Sequence, residues 1–465
     1  MLKNKRKEII DYVKAHASYI NTCREIMDIF DGNLMPYIDL ILRNSLSPNY
    51  YNAIKDRVLP INILQRYVGK VANTYVKPPK RMASDTLHQE MVDWYVDTIS
   101  FDQSALIADQ YSHMYKGFAW EPFINKQGMP DIRELAFDKF LVMSDSKSNP
   151  EEETIFIKMM GKKNDSDDSL LLHVYTDEEF DAFYLDGTEA TEYLQENEGV
   201  NPVGVIPFVY GKRQKNKLIP VLDSDMLAIV KSIPCMLTDG AGAQMFQAFT
   251  ILYGIDVNVE NLKMSPNAFW SIKSDQSSDK NPQIGSIKPE ADTQKILEFV
   301  VSIFTIWLET KGIRVGSMGS VDGGSVASGI SKIIDEMDTT NLTTKSQTWF
   351  KKDEKEFWYK MGKIHNYWIE SGLVEPSLVP PMIVGDVDVS VEFEKPEAAI
   401  SRAEEIANIK QELELKTMTL KQAILKLHPS YTEEEIEEVL QESRTILDFM
   451  DETNGKDDSR DQITE

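Results

Sequence analysis

The 465-residue chain reads as an α+β protein that is mainly helical. Three observations predict this. Apolar residues recur at helical spacing near both ends, and short β-patterned runs separated by polar spacers fill 117–212. A long helical pattern over 291–372 is interrupted once, by the glycine- and serine-rich run Gly312-Ile-Arg-Val-Gly-Ser-Met-Gly-Ser-Val-Asp-Gly-Gly-Ser-Val-Ala-Ser-Gly329. No proline occurs between Pro289 and Pro376, so glycine alone is left to stop these helices.

Residues 1–75 read mostly as helix. Ile9, Ile10, Val13 and Ala17 share one face, and Ile61, Leu64, Val68, Val71 and Tyr75 repeat the signal, with Pro78-Pro79 as the stop. One helix is predicted over 86–116, burying Met91, Trp94, Tyr95, Ile107, Tyr111 and Met114. Strand, turn and strand follow from Phe118 through Lys126-Gln-Gly-Met, with further strands at 132–143, 154–160, 170–175 and 180–185. Val221–Gln247 returns to helix, with Leu222, Met226, Ile229, Val230 and Ile233 on one side and Pro234 expected to kink or divide it. Strands are predicted at Thr250–Val259, Ala268–Lys273 and Gln283–Lys288, giving a small hairpin-bearing module between two helices.

The apolar run Ile296–Leu308 makes the next helix, and a longer one reaches about Trp368 after the glycine-rich break. Pro376, Pro380 and Pro381 mark a connector, and alternation of Val387, Val389, Val391 and Phe393 marks a strand over 386–393. Charged helices follow at 397–416 and 432–449, the second opened by Thr432-Glu-Glu-Glu, with a short one at 419–427 between them. The polar run from Asp451 is expected to be disordered.

At this length two to four domains are expected. Apolar residues make up 42% and charged residues 27%, the composition of a globular chain. The net charge of −25 argues against a broad basic face that wraps nucleic acid, while leaving room for DNA that passes without sticking. From 400 to 465 there are 17 acidic and 8 basic residues, so this end is not expected to grip DNA. Cys23 and Cys235 lie far apart and outside any motif, which fits a reducing compartment. The basic start Met-Leu-Lys-Asn-Lys-Arg-Lys-Glu leads into an amphipathic pattern, unlike a secretory signal. The run Ile296–Leu308 is too short to span a bilayer.

Chemistry is sparse. The glycine-rich break lacks the Gly-Lys-Ser/Thr of a phosphate loop and joins helix to helix instead of strand to helix. The six histidines, His16, His88, His113, His173, His365 and His428, never approach ligand spacing. Asp335/Glu336/Asp338 and Glu433/Glu434/Glu435 read as solvated helical faces or helix starts. Trp349, Phe350, Phe357, Trp358, Tyr359, Tyr367 and Trp368 fit helix packing better than a base-stacking platform. No nucleophile motif is present, so neither an enzyme nor a cofactor is expected.

Taken in order, the pieces resemble a tailed-bacteriophage portal protein. The resemblance rests on Leu59-Pro-Ile-Asn with Val76-Lys-Pro-Pro, Tyr115-Lys-Gly-Phe-Ala-Trp, Val174-Tyr-Thr-Asp-Glu-Glu and Asn201-Pro-Val-Gly-Val-Ile-Pro-Phe-Val-Tyr before Asp223–Asp239. Lys288-Pro-Glu-Ala-Asp, Ser325-Val-Ala-Ser-Gly-Ile-Ser-Lys and the run Thr419–Leu427, Pro429 and Glu433–Glu442 complete it. Each motif is weak alone, and order and spacing carry the likeness. It implies a wing over 1–220, a first stem helix over 221–248, a clip over 249–290 and a second stem helix over 291–311. A tunnel loop at 312–328, a long wing helix with return strand at 329–396, a helical crown at 397–450 and a tail at 451–465 would complete the subunit.

The implied assembly is a ring, normally of twelve subunits, around a central channel for double-stranded DNA. It would occupy one capsid vertex of the virion, after assembly in the host cytoplasm without a membrane. Implied partners are the terminase large subunit that drives packaging, the major capsid and scaffold proteins, and the head–tail adaptor. Lys311, Arg314, Gly316, Ser317, Met318, Ser320, Val321 and Lys332 would face the channel, and Lys263, Trp270, Lys273 and Lys280 would offer the clip contact. Two other readings stay open: a virion structural or scaffold-binding protein without a channel, and a phosphate-handling enzyme using the glycine-rich loop.

Overall fold

The basic amino-terminal sequence finds its partners on a sheet of the same chain. In the computed structural model, the residues described are 2–162, 169–194, 199–248, 251–255, 283–287, 293–315, 334, 337–394, 402–427, 436–437 and 439–440. The fold is mixed, largely helical, with small antiparallel sheets. The chain divides into two compact units, 1–396 and 397–465.

Helix α1 (Leu2–Ala15) buries Leu2, Ile9 and Val13 against a four-stranded antiparallel meander, β4 (Phe140–Met143), β5 (Ile155–Lys162), β6 (Leu170–Tyr175) and β7 (Phe180–Tyr184). Its polar side is held by charge. Arg6 forks onto both oxygens of Asp181 at 2.7 and 2.6 Å and reaches Glu189 at 2.8 Å, while Lys5 meets Asp145 at 2.6 Å. The chain turns at His16 before α2 (Ala17–Phe30), so Ala17 is exposed and does not extend the α1 face as its spacing suggested.

Helices α3 (Met35–Ser45), α4 (Pro48–Ile54) and α5 (Ile63–Val71) follow. Asn62 serves two helix ends at once: its Nδ2 donates to the carbonyls of Ile29 and Phe30, and its Oδ1 accepts from the Gln65 amide. Helix α5 ends at Val71, well before Pro78-Pro79, and Tyr75 is buried from the following turn instead. The helix expected over 86–116 is two, α6 (Thr86–Thr98) and α7 (Phe101–Tyr115). Ser100 between them is left-handed, with φ of 51°. The break rotates the second face, which leaves Ile107 exposed and buries Phe101, Ala105 and Ala108.

Three strands, β3 (Pro130–Leu135), β2 (Gly117–Ile124) and β8 (Val209–Lys212), form a second antiparallel sheet with β2 in the middle. The expected strand at 132–143 is therefore split between two sheets by a turn after Leu135. The short helix α8 (Thr191–Leu194) precedes β8.

Helix α9 (Ser224–Ala248) continues past Pro234 as one element, so the proline does not divide it. It is followed by the hairpin strands β9 (Ile251–Ile255) and β10 (Gln283–Ile287) and by α10 (Thr293–Thr310). The hairpin pairs the first and last predicted strands of this module, and the strand expected at 268–273 lies outside the described residues.

Helix α11 (Thr340–Glu370) is 31 residues long, about 46 Å at 1.5 Å per residue. Phe350, Phe357, Trp358, Met361, Ile364 and Trp368 are buried in one core with α6, α7 and β2, so these aromatics are packing residues. A short strand, β1 (Lys80–Ala83), absent from the sequence reading, pairs antiparallel with β13 (Val389–Glu392) alongside. The proline connector between α11 and β13 is pinned by side chains. Asn366 exchanges two 2.8 Å hydrogen bonds with the backbone of Ile383, and the His365 ring joins Tyr95 Oη at 2.8 Å to the Pro380 carbonyl at 3.1 Å.

Two adjacent carboxylates on α11 reach two different arginines. Glu354, fully buried, takes Arg81 Nε at 2.6 Å and the Tyr75 hydroxyl at 2.6 Å. Asp353 takes Arg213 Nη1 at 2.6 Å. The β8 backbone comes close enough only because residue 211 is glycine, where a Cβ would sit 2.9 Å from the Asp353 carboxylate and 2.5 Å from Phe118.

In the second unit, α12 (Arg402–Glu414) and α13 (Leu420–Leu427) are shorter than or close to their expected spans. Thr419 and Gln422 form a reciprocal capping box, the Gln422 side chain accepting from the Thr419 amide at 3.0 Å. The box expected at Thr432 and the tail from Asp451 lie outside the described residues.

Arg81 also meets Asp102 at 2.6 Å, so replacing Glu354 with Gln removes one of its two carboxylates, and urea unfolding is expected to show a loss of about 2–3 kcal/mol. A loss below about 1 kcal/mol would mean that the pair contributes little. His173, in β6, is buried, and burial followed by the nearby Lys158 lowers its pKa to about 4 from 6.5. A depressed folded value leaves its stability contribution whole above pH 6.5 and removes it as pH falls through about 4. Proton titration by NMR should place this ring near 4; a value near 6.5 would contradict its burial.

Candidate functional site

The segment singled out by sequence is built on α10, which ends where glycine allows it to. Gly312 has a φ of +75°, its amide donates to Glu309 at 2.9 Å, and the Ile313 amide donates to Leu308 at 3.1 Å. These two bonds, with Leu308 and Ile313 both buried, make a Schellman stop. The chain then forms β11 (Arg314–Val315), paired antiparallel with β12 (Met337–Asp338). Val315 and Met337 are cross-strand partners, so the glycine-rich segment leaves and returns about 5 Å from itself.

Both ends of this ladder are tied to the body. On the outgoing side Lys311 Nζ lies 2.7 Å from Asp225 and 3.2 Å from Asp223, over the Trp307 ring. Asp223 also takes Lys116 at 2.8 Å, so the start of α9, the end of α7 and the end of α10 share one charge cluster. Burial opposes ionisation of Asp225, but the Lys311 ammonium outweighs it and holds the carboxyl below its usual range. On the returning side Asp338 accepts from the Thr340 amide at 3.0 Å. Asn73 Nδ2 donates to Thr339 Oγ1 at 2.9 Å, and the Thr343 hydroxyl donates to Asn73 Oδ1.

Two sequence expectations change here. The long helix begins at Thr340 and not near 329, because 337–338 is spent on the ladder. Asp338 consequently sits in a strand and not on a helical face. Of the proposed channel residues, Lys311 is described and is engaged with Asp223 and Asp225, and Arg314 opens β11. Gly316, Ser317, Met318, Ser320, Val321 and Lys332 lie outside the described residues, as do Lys263, Trp270, Lys273 and Lys280 of the hairpin module.

The anchors Asn73, Lys116, Asp223 and Asp225 were not singled out by sequence. Acidic residues at the start of α9 were the one available signal, since they complement a helix amino terminus. Among the described residues, no three His, Cys, Asp or Glu side chains gather as a metal site would require. No helix among them is long and apolar enough to cross a membrane. No protein-family model matches this chain, and no curated protein matches it either.

Replacing Gly312 with Ala is expected to cost about 1 kcal/mol, since the left-handed stop is strained for any side chain, with Asn costing less. Chemical denaturation checks this, and equal stability of Ala and Gly variants would contradict the Schellman geometry.

Proposed function

We propose that this chain is the subunit of a phage portal, a ring at one capsid vertex of the virion through which the genome is packaged and later released. The observation that carries the reading is the order of parts from 224 to 370. A helix pair joined through a β hairpin leads into a glycine-rich segment, and that segment sits on a two-residue ladder ahead of a 31-residue helix. Such an arrangement holds the glycine-rich segment at the end of two anchored helices. In a ring, it would present one loop per subunit to the channel.

The charge balance supports the same reading. A chain of net charge −25 repels phosphates, which keeps a passing duplex mobile. Lys311 is engaged by two carboxylates, so in this reading it positions the loop, and contact with DNA falls to residues beyond Val315. The hairpin module between α9 and α10 would meet the terminase large subunit during packaging and the head–tail adaptor afterwards. Capsid and scaffold proteins would surround the first unit.

Deleting Gly316–Gly324 is expected to leave ring assembly intact, because every anchor described above lies outside the deletion. DNA packaging or retention should fall by at least about tenfold. Loss of rings in the deletion variant would make the loop an assembly element instead.

A further inference from the structure

Helix α10 has two apolar faces. Val300, Val301, Phe304, Trp307 and Leu308 are buried, but Phe299 is 59% exposed and Ile306 57% exposed, seven residues apart with Ser302 between them. Two large apolar side chains repeating at heptad spacing on a solvent-facing stripe form an unfilled helix–helix seam.

The other helix of the pair carries the complementary relief. On α9, Ala228, Ser232, Cys235 and Asp239 follow one another at helical spacing, and none of them is fully buried. Their small side chains leave a shallow groove. Ala228, at one end, also borders a cavity of about 750 Å³ lined by Tyr19, Thr22, Val221 and Lys231.

Two contacts fix the relative heights of ridge and groove. Lys311 meets Asp225 at one end, and further along a Cβ at Gly240 would lie 3.3 Å from Ile296. From 225 to 240 and from 296 to 311 are equal lengths of chain, about 22 Å at 1.5 Å per residue. The helices are therefore antiparallel and in step. Phe299 lies level with the stretch between Cys235 and Asp239, and Ile306 lies level with the stretch between Ala228 and Ser232.

Resting on the ring reading, we propose that the Phe299–Ile306 ridge of one copy seats in the Ala228–Ser232–Cys235 groove of α9 in the next copy. Rotation about an axis along the helix pair moves a copy sideways without changing its height. A ridge and a groove at equal heights then meet in every neighbour, as a closed cyclic assembly requires. A foreign partner would place no such condition on the two helices of one chain.

The test uses the full chain. Phe299→Asp with Ile306→Asp changes two exposed residues, so circular dichroism should stay as in the wild type. Subunit association should weaken by more than about 100-fold, read by sedimentation or mass photometry. Phe299→Cys adds a second measurement with native Cys235 as its partner. Mild oxidation should give a ladder of covalent multimers, abolished by Cys235→Ala, because a head-to-tail contact links each copy to the next. Rings that survive the double aspartate variant would overturn this interface and leave the ring reading standing, as would covalent dimers alone. A wild type that never assembles would overturn the ring reading and this interface together.

Discussion

The first unit depends on a pair of neighbouring carboxylates, Asp353 and Glu354, buried on one side of α11. Each faces a different arginine: Glu354 holds Arg81 on β1, and Asp353 holds Arg213 just after β8. Burial pushes Asp353 upward, and Arg213 pulls it back toward the charged form. Burial likewise raises the Tyr75 hydroxyl, reinforced by Glu354, which keeps that hydroxyl a donor. Removing either arginine leaves a buried carboxylate without its cation, so the three segments are held in one arrangement.

That arrangement makes α11 a beam. Its aromatic face fills the core with α6, α7 and β2, and its far end is fastened to the connector by His365 and Asn366. Its near end is fastened to the turn after α5 by Asn73. The glycine-rich segment returns into this fastened end and departs from α10 through the Lys311 cluster. Rigidity around the loop is thus a consequence of the core, and the mechanical reading of the loop follows from it.

The sequence made some of this legible, for physical reasons that differ by element. The α10 stop was readable because Gly312 is the first residue after the apolar run able to take a positive φ freely. The meander was readable because β5, β6 and β7 are apolar runs bounded by polar spacers. Strand β1 was not, since Lys80-Arg-Met-Ala has no alternating pattern and its partner lies some three hundred residues on. The break at Ser100 has neither glycine nor proline to mark it. The delayed start of α11 was hidden because the pattern after Gly329 reads as helix without a stop, while pairing of Arg314–Val315 with Met337–Asp338 is a tertiary choice. The anchors were invisible for the same reason: Asn73 and Asp225 are ordinary polar residues until their distant partners are known.

The central claim is that a beam and an anchored loop serve a ring with an open middle. Electron microscopy of the purified full-length protein, averaged end-on, tests it most directly. The account predicts closed rings with a continuous central hole; particles that remain single chains at every concentration, or closed assemblies with no hole, would contradict it.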